Sequence, residues 1–155
     1  MIDSFPENER RMREEYIKTM KNRAFSTTLF CSETADIKGF LSYWKLSDFI
    51  FVEHFAISSK FRNQGLGNKL FSQFLNSISK PVVLEVEPPT DSISKRRVNF
   101  YERMNFVLNR FDYYQPSYHN DNKKVPLLLM TSNGTLSSSQ FKMLQNDIYN
   151  IVYNI

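Results

Sequence analysis

A short run with two glycines is the first feature of this sequence that could do chemistry. It stands between a predicted strand and a predicted helix, and its residues are Arg62, Asn63, Gln64, Gly65, Leu66 and Gly67. Glycine lets a backbone turn tightly and approach a ligand closely, and the free amides at a helix start attract anions. The run therefore predicts a cradle for a diphosphate, with Arg62 and Lys69 adding positive charge. The run is not a Walker A loop, because it has no Gly-Lys-Ser/Thr, and it is not a dinucleotide fingerprint, because Leu70 stands in place of the third glycine. A turn that only starts a helix is the structural alternative.

Glu53 is the candidate for a general base. Alternation along a predicted strand over residues 49–57 places it on one face with four apolar residues: Phe49, Phe51, Phe55 and Ile57. A carboxylate in an apolar row is partly desolvated, which favours proton acceptance. The structural alternative is an ion pair, for instance with Arg97. His54 is predicted on the opposite face, where a structural role fits it better than a catalytic one.

The hydrophobic periodicity predicts the elements that must position these residues. Helices are predicted over residues 7–20, 66–79, 92–104 and, at the C-terminus, 137–155. Strands are predicted over residues 25–31, 37–46, 49–57, 81–86, 106–111 and 125–131, with a loop over 113–122. The first three strands indicate an antiparallel meander, and the strand–helix–strand order that follows indicates a parallel crossover. The sequence thus predicts an α+β fold with a mixed central sheet flanked by helices, in a single domain over residues 1–155.

Two segments resemble motifs of the GNAT acetyltransferase superfamily. Phe55, Ala56 and Ile57, followed by the glycine run, are similar to its motif A, which is Arg/Gln-x-x-Gly-x-Gly/Ala after the fourth strand of that fold. Residues 99–106, Asn-Phe-Tyr-Glu-Arg-Met-Asn-Phe, resemble motif B, with Asn105 in place of the usual glycine. Asparagine tolerates a left-handed backbone, so this turn is expected to survive. The resemblance implies the GNAT acyltransferase fold with a shortened N-terminus, because the usual first strand is missing.

The same resemblance implies a co-substrate, acetyl-CoA, and the residues that would hold it. The backbone of Phe55, Ala56 and Ile57 would bind the pantetheine arm much as a sheet accepts an added strand. The diphosphate would lie on the cofactor segment, whose residues are Arg62, Asn63, Gln64, Gly65, Leu66, Gly67, Asn68 and Lys69. Tyr101 matches the tyrosine that contacts the cofactor and protonates the departing CoA thiolate in many members. A core aromatic is the structural alternative for Tyr101.

The acceptor side is also outlined by the resemblance. The run over residues 51–55 resembles the stretch that holds the proposed base glutamate of spermidine/spermine acetyltransferases, and Glu53 stands at its centre. The aromatic loop 113–119 would lie near the acceptor, where aromatic rings can hold an ammonium group. A tyrosine-rich loop that packs on itself is the alternative. The implied reaction is direct transfer of an acetyl group to a primary amine, without a covalent enzyme intermediate.

Composition and charge limit the partners. The chain has 155 residues, of which 41% are hydrophobic, and a net charge of +4. Its basic residues are scattered, which argues against a nucleic-acid partner, and no apolar run is long enough to cross a bilayer. The lone Cys31 can form no intramolecular disulfide and has no metal-ligand spacing. We therefore expect a cytoplasmic N-acetyltransferase without a metal, acting on a small-molecule or protein amine, in which a homodimer would cover the exposed sheet edge. The alternative is a non-catalytic acyl-CoA-binding or partner-binding domain.

Overall fold

A mixed sheet of six strands organises the described part of the chain. The computed structural model describes residues 5, 10–118 and 124–155. In chain order the elements are α1 (Arg13–Thr19), β1 (Phe25–Cys31), β2 (Ile37–Lys45), β3 (Ile50–Ile57), α2 (Leu66–Asn76), β4 (Val82–Val86), α3 (Ser92–Glu102), β5 (Val107–Pro116), β6 (Lys124–Thr131), α4 (Ser138–Asp147) and a π-helical segment (Ile148–Tyr153). The strand order across the sheet is β1-β2-β3-β4-β6-β5.

The pairing of the strands confirms the predicted mixed sheet. Strands β1, β2 and β3 form an antiparallel meander, and β3 pairs in parallel with β4 after the crossover through α2. Strand β6 then inserts between β4 and β5 and runs antiparallel to both. The β3–β4 pair is the parallel one, so it is the place where a crossover helix must begin next to the end of a strand.

Helices cover the two faces of the sheet with two separate cores. On one face, α2 and α3 pack their aromatic side chains against the sheet, around the fully buried Phe71. On the other face, α4 and the π-helical segment contribute Phe141, Ile148 and Val152 to a core that also contains Trp44. We call these the α2–α3 face and the C-terminal face. A site in the middle of the sheet is therefore bordered by different elements on its two sides.

The start of the first helix and the end of the fifth strand are the predicted boundaries that differ most from the structure. Helix α1 begins at Arg13, whereas the prediction began at residue 7; residues 7–9 lie outside the described residues. Strand β5 continues to Pro116, so the loop predicted to begin at residue 113 is wrong over residues 113–116. An irregularity in the pairing between Asn109 and Tyr113 interrupts the alternation of β5, which explains why the sequence pattern ends early. Pro116 is tolerated because β5 is an edge strand.

The C-terminal helix changes its winding within the predicted span of 137–155. Helix α4 begins after Ser137, whose hydroxyl accepts a hydrogen bond from the Gln140 amide in a capping box. At Ile148 the α-helix gives way to the π-helical segment, which ends at Tyr153. Single π turns inside helices are frequent at functional sites, and this one carries Tyr149 and Tyr153 toward the sheet.

Candidate active site

The sheet opens between β3 and β4. Their parallel pairing runs from Ile50 opposite Val82 to Val52 opposite Leu84, and none of the described residues extends it further. Strand β3 nevertheless continues to Ile57, paired only with β2, while β4 continues in its pairing with β6. The predicted pantetheine-binding residues Phe55, Ala56 and Ile57 thus border a gap inside the sheet. Backbone groups along such a gap can bond to an extended ligand in the same way as to a strand.

A β-bulge at Glu53 coincides with the start of this gap. Ser42 of β2 pairs with His54 and the next residue, Tyr43, pairs with Val52, so Glu53 is the extra residue. A bulge places two successive side chains on the same side of the sheet and reverses the alternation beyond it. The predicted alternation is therefore wrong past Glu53.

The side chains around the bulge show that reversal. Glu53 lies on the C-terminal face, whereas Phe55 packs against Phe71 and Phe100 on the α2–α3 face. His54 is buried on the same face as Glu53, where its Nδ1 lies 3.2 Å from the Ser42 hydroxyl oxygen. Its ring also contacts that of Phe5, an arrangement that suits a structural histidine.

The glycine run forms the turn at the mouth of the gap. Asn63 and Gly65 both adopt left-handed backbone, with φ of 62° and 68°, and Gly65 is the N-cap of α2. No side chain caps this helix end. A Cβ atom built on Gly67 would lie 3.6 Å from both Ile57 Cγ1 and Phe100 Cε2, so the start of α2 abuts the end of β3. The free first-turn amides therefore lie beside the gap, where they can bind an anion.

The side chain of Arg62 contacts the backbone of the strand that precedes it. Its Nε donates a hydrogen bond of 3.0 Å to the carbonyl of Ile57, which ties the turn back onto the last residue of β3. The contact fixes the turn against the strand that borders the gap. The predicted cofactor segment forms a turn that continues directly into the first turn of α2. Its remaining residues are Asn63, Gln64, Leu66, Asn68 and Lys69.

Tyr101 lies on the α2–α3 face in an aromatic cluster. Its ring packs against Phe71, Phe100 and Phe106, and the residue is 8% exposed. Phe71 also contacts Phe55, so one ring separates Tyr101 from the strand that borders the gap. Burial raises the pKa of Tyr101 to about 12, against a smaller opposing effect of Arg97. The phenol is therefore protonated at neutral pH and able to donate a proton.

Glu53 is paired with Arg11 and is almost completely buried, with 1% of its side chain exposed. Arg11 Nε and Nη2 both lie 3.0 Å from Oε1, the Tyr118 hydroxyl donates to Oε1 at 2.9 Å, and the Trp44 indole donates to Oε2 at 3.0 Å. The partner suggested from the sequence, Arg97, instead pairs with Glu87 on the surface. Both oxygens of Glu53 are thus engaged by donors from three different segments of the chain.

A second carboxylate, that of the half-buried Glu85, continues this network across the gap. Tyr113 and Tyr153 donate hydrogen bonds to it, and the Tyr153 hydroxyl lies 3.4 Å from that of Tyr118. Burial, reinforced by the carboxylates Glu85 and Glu53, raises the pKa of all three tyrosines, so each remains a hydrogen-bond donor. The two glutamates on neighbouring strands are joined by a continuous series of hydroxyl groups.

Sequence reasoning missed Glu85 and Arg11 for different reasons. Glu85 is a lone carboxylate in the apolar strand Val82–Val86, the same signal that identified Glu53, and it could have been found. Arg11 lies in a charged stretch that resembles a solvated helix, and nothing local distinguishes it from Arg10 or Arg13. Of the aromatic loop, Tyr113 and Tyr118 do reach the network, whereas His119 lies outside the described residues.

The comparisons with known proteins identify the family. The model of the acetyltransferase (GNAT) family matches residues 2–106, and the chain belongs to this family. A GNAT-family protein of Bacteroides thetaiotaomicron is 33% identical, with a TM-score of 0.91 over 99% of this chain and 88% of that one. The YjbC protein of Bacillus subtilis (strain 168) is 35% identical over 99 residues, which are 58% of this chain and 50% of YjbC, so the match spans half of that relative.

A more distant structure shows the same fold with its co-substrate. The spermidine N-acetyltransferase of Vibrio cholerae, solved in complex with CoA and spermine, is 14% identical, with a TM-score of 0.57 over 83% of this chain and 75% of that one. The predicted recognition and fold class are confirmed by these matches. In the part of the chain that the structure describes, no helix is long and apolar enough to cross a membrane.

Proposed function

We propose that this acetyltransferase transfers the acetyl group of acetyl-CoA to a primary amine. The observation that carries the proposal is the gap between β3 and β4, which opens directly beside the free amides at the start of α2. The extended pantetheine arm of the co-substrate fits the gap, and its diphosphate fits the adjacent amides. Acetyl-CoA supplies an activated acetyl thioester when it is bound.

Twelve residues are proposed to contact the co-substrate; eleven of them lie along one continuous path, and the twelfth is Tyr101. The backbone of Phe55, Ala56 and Ile57 would bind the pantetheine arm along the edge of β3 that faces the gap. Residues 62–69 would hold the diphosphate on their amides, and the left-handed Gly65 sets the turn. Because a Cβ atom at Gly67 meets its neighbours only at ordinary contact distance, the fold itself does not require glycine there. Close approach of a ligand does explain it.

The proposed acid and base lie on opposite faces of the sheet. Tyr101 belongs to the α2–α3 face, where we propose that its phenol gives a proton to the leaving thiolate. Glu53 belongs to the C-terminal face, where we propose that it takes a proton from the acceptor amine. This arrangement supports approach of the two substrates from opposite sides of the gap. Both roles require groups that reach the gap, and the bulge places Glu53 at the point along β3 where the strands separate.

The proposal is tested by measuring thiol release from acetyl-CoA with a panel of amines that includes spermidine, free amino acids and a peptide with a free N-terminus. In Tyr101→Phe the ring is kept and only the proton donor is lost, so turnover should fall roughly 10²-fold or more while CoA affinity changes little. Tyr43→Phe is the matched control, because Tyr43 packs against Phe74 on the same face. Its turnover should stay within about twofold of the unchanged protein.

Two results would contradict the proposal in different ways. Thiol release that is equally fast in Tyr101→Phe would remove Tyr101 from the mechanism. CoA binding without thiol release for any amine of the panel would instead support the alternative of a non-catalytic acyl-CoA-binding domain. The engagement of both Glu53 oxygens by other side chains is the observation that keeps this second function in view.

A further inference from the structure

Arg11 is held in a small cage of aromatic and acidic groups. Its guanidinium carbon lies 4.8 Å from the ring centre of Tyr118 and 5.7 Å from that of Trp44. Its Nε and Nη2 face Glu53, and Nη2 also donates a hydrogen bond of 2.6 Å to the carbonyl of Val152. We use the term cation cage for Trp44, Glu53, Tyr118 and the Val152 carbonyl. Two aromatic rings, one carboxylate and one carbonyl are the groups that recognise an organic cation.

The residues of the cation cage belong to other elements than the segment that carries Arg11. Trp44 comes from β2, Glu53 from the bulge of β3, Tyr118 from the chain after β5 and Val152 from the π-helical segment. The contacts that join Trp44 and Tyr118 to Glu53 do not involve Arg11. Arg11 precedes α1, and its side chain is 11% exposed, so it enters the cage from the surface. The occupant of the cage thus comes from a different segment of the chain than its walls.

Charge dictates what can replace Arg11. Glu53 is buried, and a buried carboxylate whose cation leaves without a substitute is strongly unfavourable. Burial opposes the charge on Arg11, but Glu53 and the neighbouring phenols outweigh that effect and raise its pKa. The cage therefore selects the charged form of its occupant. Neutral or anionic molecules of the same shape do not satisfy Glu53.

We propose that the cation cage is a binding site for an alkylammonium or alkylguanidinium group, and that Arg11 is its internal occupant, which an external cation displaces. The inference rests on the proposed function for its biological ligand: the acceptor is an amine that carries its positive charge into the cage. When the acceptor displaces Arg11, the acceptor's nitrogen would contact Glu53, the proposed base. When no acceptor is bound, Arg11 would keep Glu53 covered.

The single tryptophan of the chain, Trp44, reports on the cage directly. The experiment follows Trp44 fluorescence in the full chain, without acetyl-CoA, during titration with methylguanidinium and with n-propylammonium. In Arg11→Ala the competing cation is gone, so both probes should bind at least roughly tenfold more tightly than in the unchanged protein. Urea, which has the shape of guanidinium without its charge, should not bind. The matched control is Arg13→Ala, which removes an exposed arginine two residues away and should leave the affinity unchanged.

Thermal unfolding gives a second, independent reading. Arg11→Ala should melt at a lower temperature than the unchanged protein, and methylguanidinium should restore part of the loss where sodium chloride at equal ionic strength does not. Arg11→Lys keeps a cation on the segment and should bind the probes with intermediate affinity. The proposal is overturned by an Arg11→Ala protein that folds but binds neither probe. It is equally overturned if neither variant folds, because Arg11 is then a permanent part of the core.

The same probes separate this inference from the proposed function. Cage binding with no acetyl transfer to any amine would retain the cation site and reject the proposed function. Acetyl transfer without binding of the probes to the cage would retain the proposed function and reject the cation site. If both hold, cationic amines should show a lower KM in Arg11→Ala than in the unchanged protein, because they no longer compete with Arg11, and uncharged aromatic amines should not.

Discussion

Glu53 and Glu87 are both ion-paired carboxylates, yet their different burial gives the two ion pairs different importance for stability. Glu53 receives donors on both oxygens and has 1% of its side chain exposed, whereas Glu87 pairs with Arg97 at the surface with 38% exposed. Solvent screens the surface pair, and such pairs contribute little to stability. The buried carboxylate would be left with unmatched donors if its charge were removed.

Glu53→Gln should therefore destabilise the protein by about 3 kcal/mol, because the amide keeps the size of the side chain but presents a donor to Arg11 and Tyr118. Glu87→Gln, the matched control, should cost no more than about 1 kcal/mol. Denaturant unfolding of both variants measures these differences.

The pH–rate profile of Glu53→Gln then separates its two proposed roles. If Glu53 is the base, the fall in rate on the acid side disappears in this variant together with most of the activity. If the acid limb is retained while stability is lost, Glu53 is a structural residue, and Glu85 becomes the carboxylate to examine, since its hydroxyl partners connect it to the same network.

At the scale of elements, the local hydrophobic pattern predicted several helices and strands correctly. The apolar spacing of residues 66–78 predicted α2, and strand β1 was predicted with the bounds that the structure has. Two features of the site escaped because they depend on pairing between strands. The bulge at Glu53 is visible only in the register of β2 and β3, and the continuation of β5 past residue 111 follows an irregular pairing with β6. Arg11 escaped because its partner is 42 positions away in the chain.

Gly67→Ala tests the element boundary at which the cofactor is proposed to bind. The added methyl group would meet Ile57 and Phe100 at ordinary contact distances of 3.6 Å, so folding should be unaffected. The same methyl group would occupy the space through which a diphosphate approaches the first amides of α2, so CoA affinity should fall roughly tenfold or more. Calorimetric titration with CoA measures the affinity, and thermal unfolding checks the fold.

The matched control for Gly67→Ala is Gln73→Ala, on the exposed face of the same helix, which should leave CoA affinity unchanged. An unchanged affinity in Gly67→Ala itself would mean that the glycine run only starts α2, which is the structural alternative for this segment. Gly65 is less informative, because its φ of 68° makes any larger side chain strained whether or not a ligand binds.

At the scale of the whole molecule, the two faces of the sheet are held by different chemistry. The α2–α3 face is aromatic, and Tyr101 lies within it. The C-terminal face combines an apolar core with the polar network of Glu53 and Glu85, closed by Tyr153 of the π-helical segment. Tyrosines are buried on both faces of the sheet. Ionisation of their phenols therefore affects both faces, and it can be followed as a change in stability with pH.

The stability of the protein should fall steeply as the pH rises above about 10. Burial raises the pKa of Tyr101 to about 12, and burial together with neighbouring carboxylates also raises the pKa of Tyr113, Tyr118 and Tyr153 above the ordinary 10.0. The folded protein then retains protons that the unfolded chain releases, so the contribution is complete below pH 10 and is lost as the pH increases. The slope should be about 1.4 kcal/mol per pH unit for each such tyrosine. Thermal unfolding across this range measures the slope, and it should be shallower in Tyr101→Phe and in Tyr118→Phe because each variant removes one buried phenol. Equal slopes in all three proteins would assign the alkaline loss to other groups and would show that these phenols ionise without unfolding.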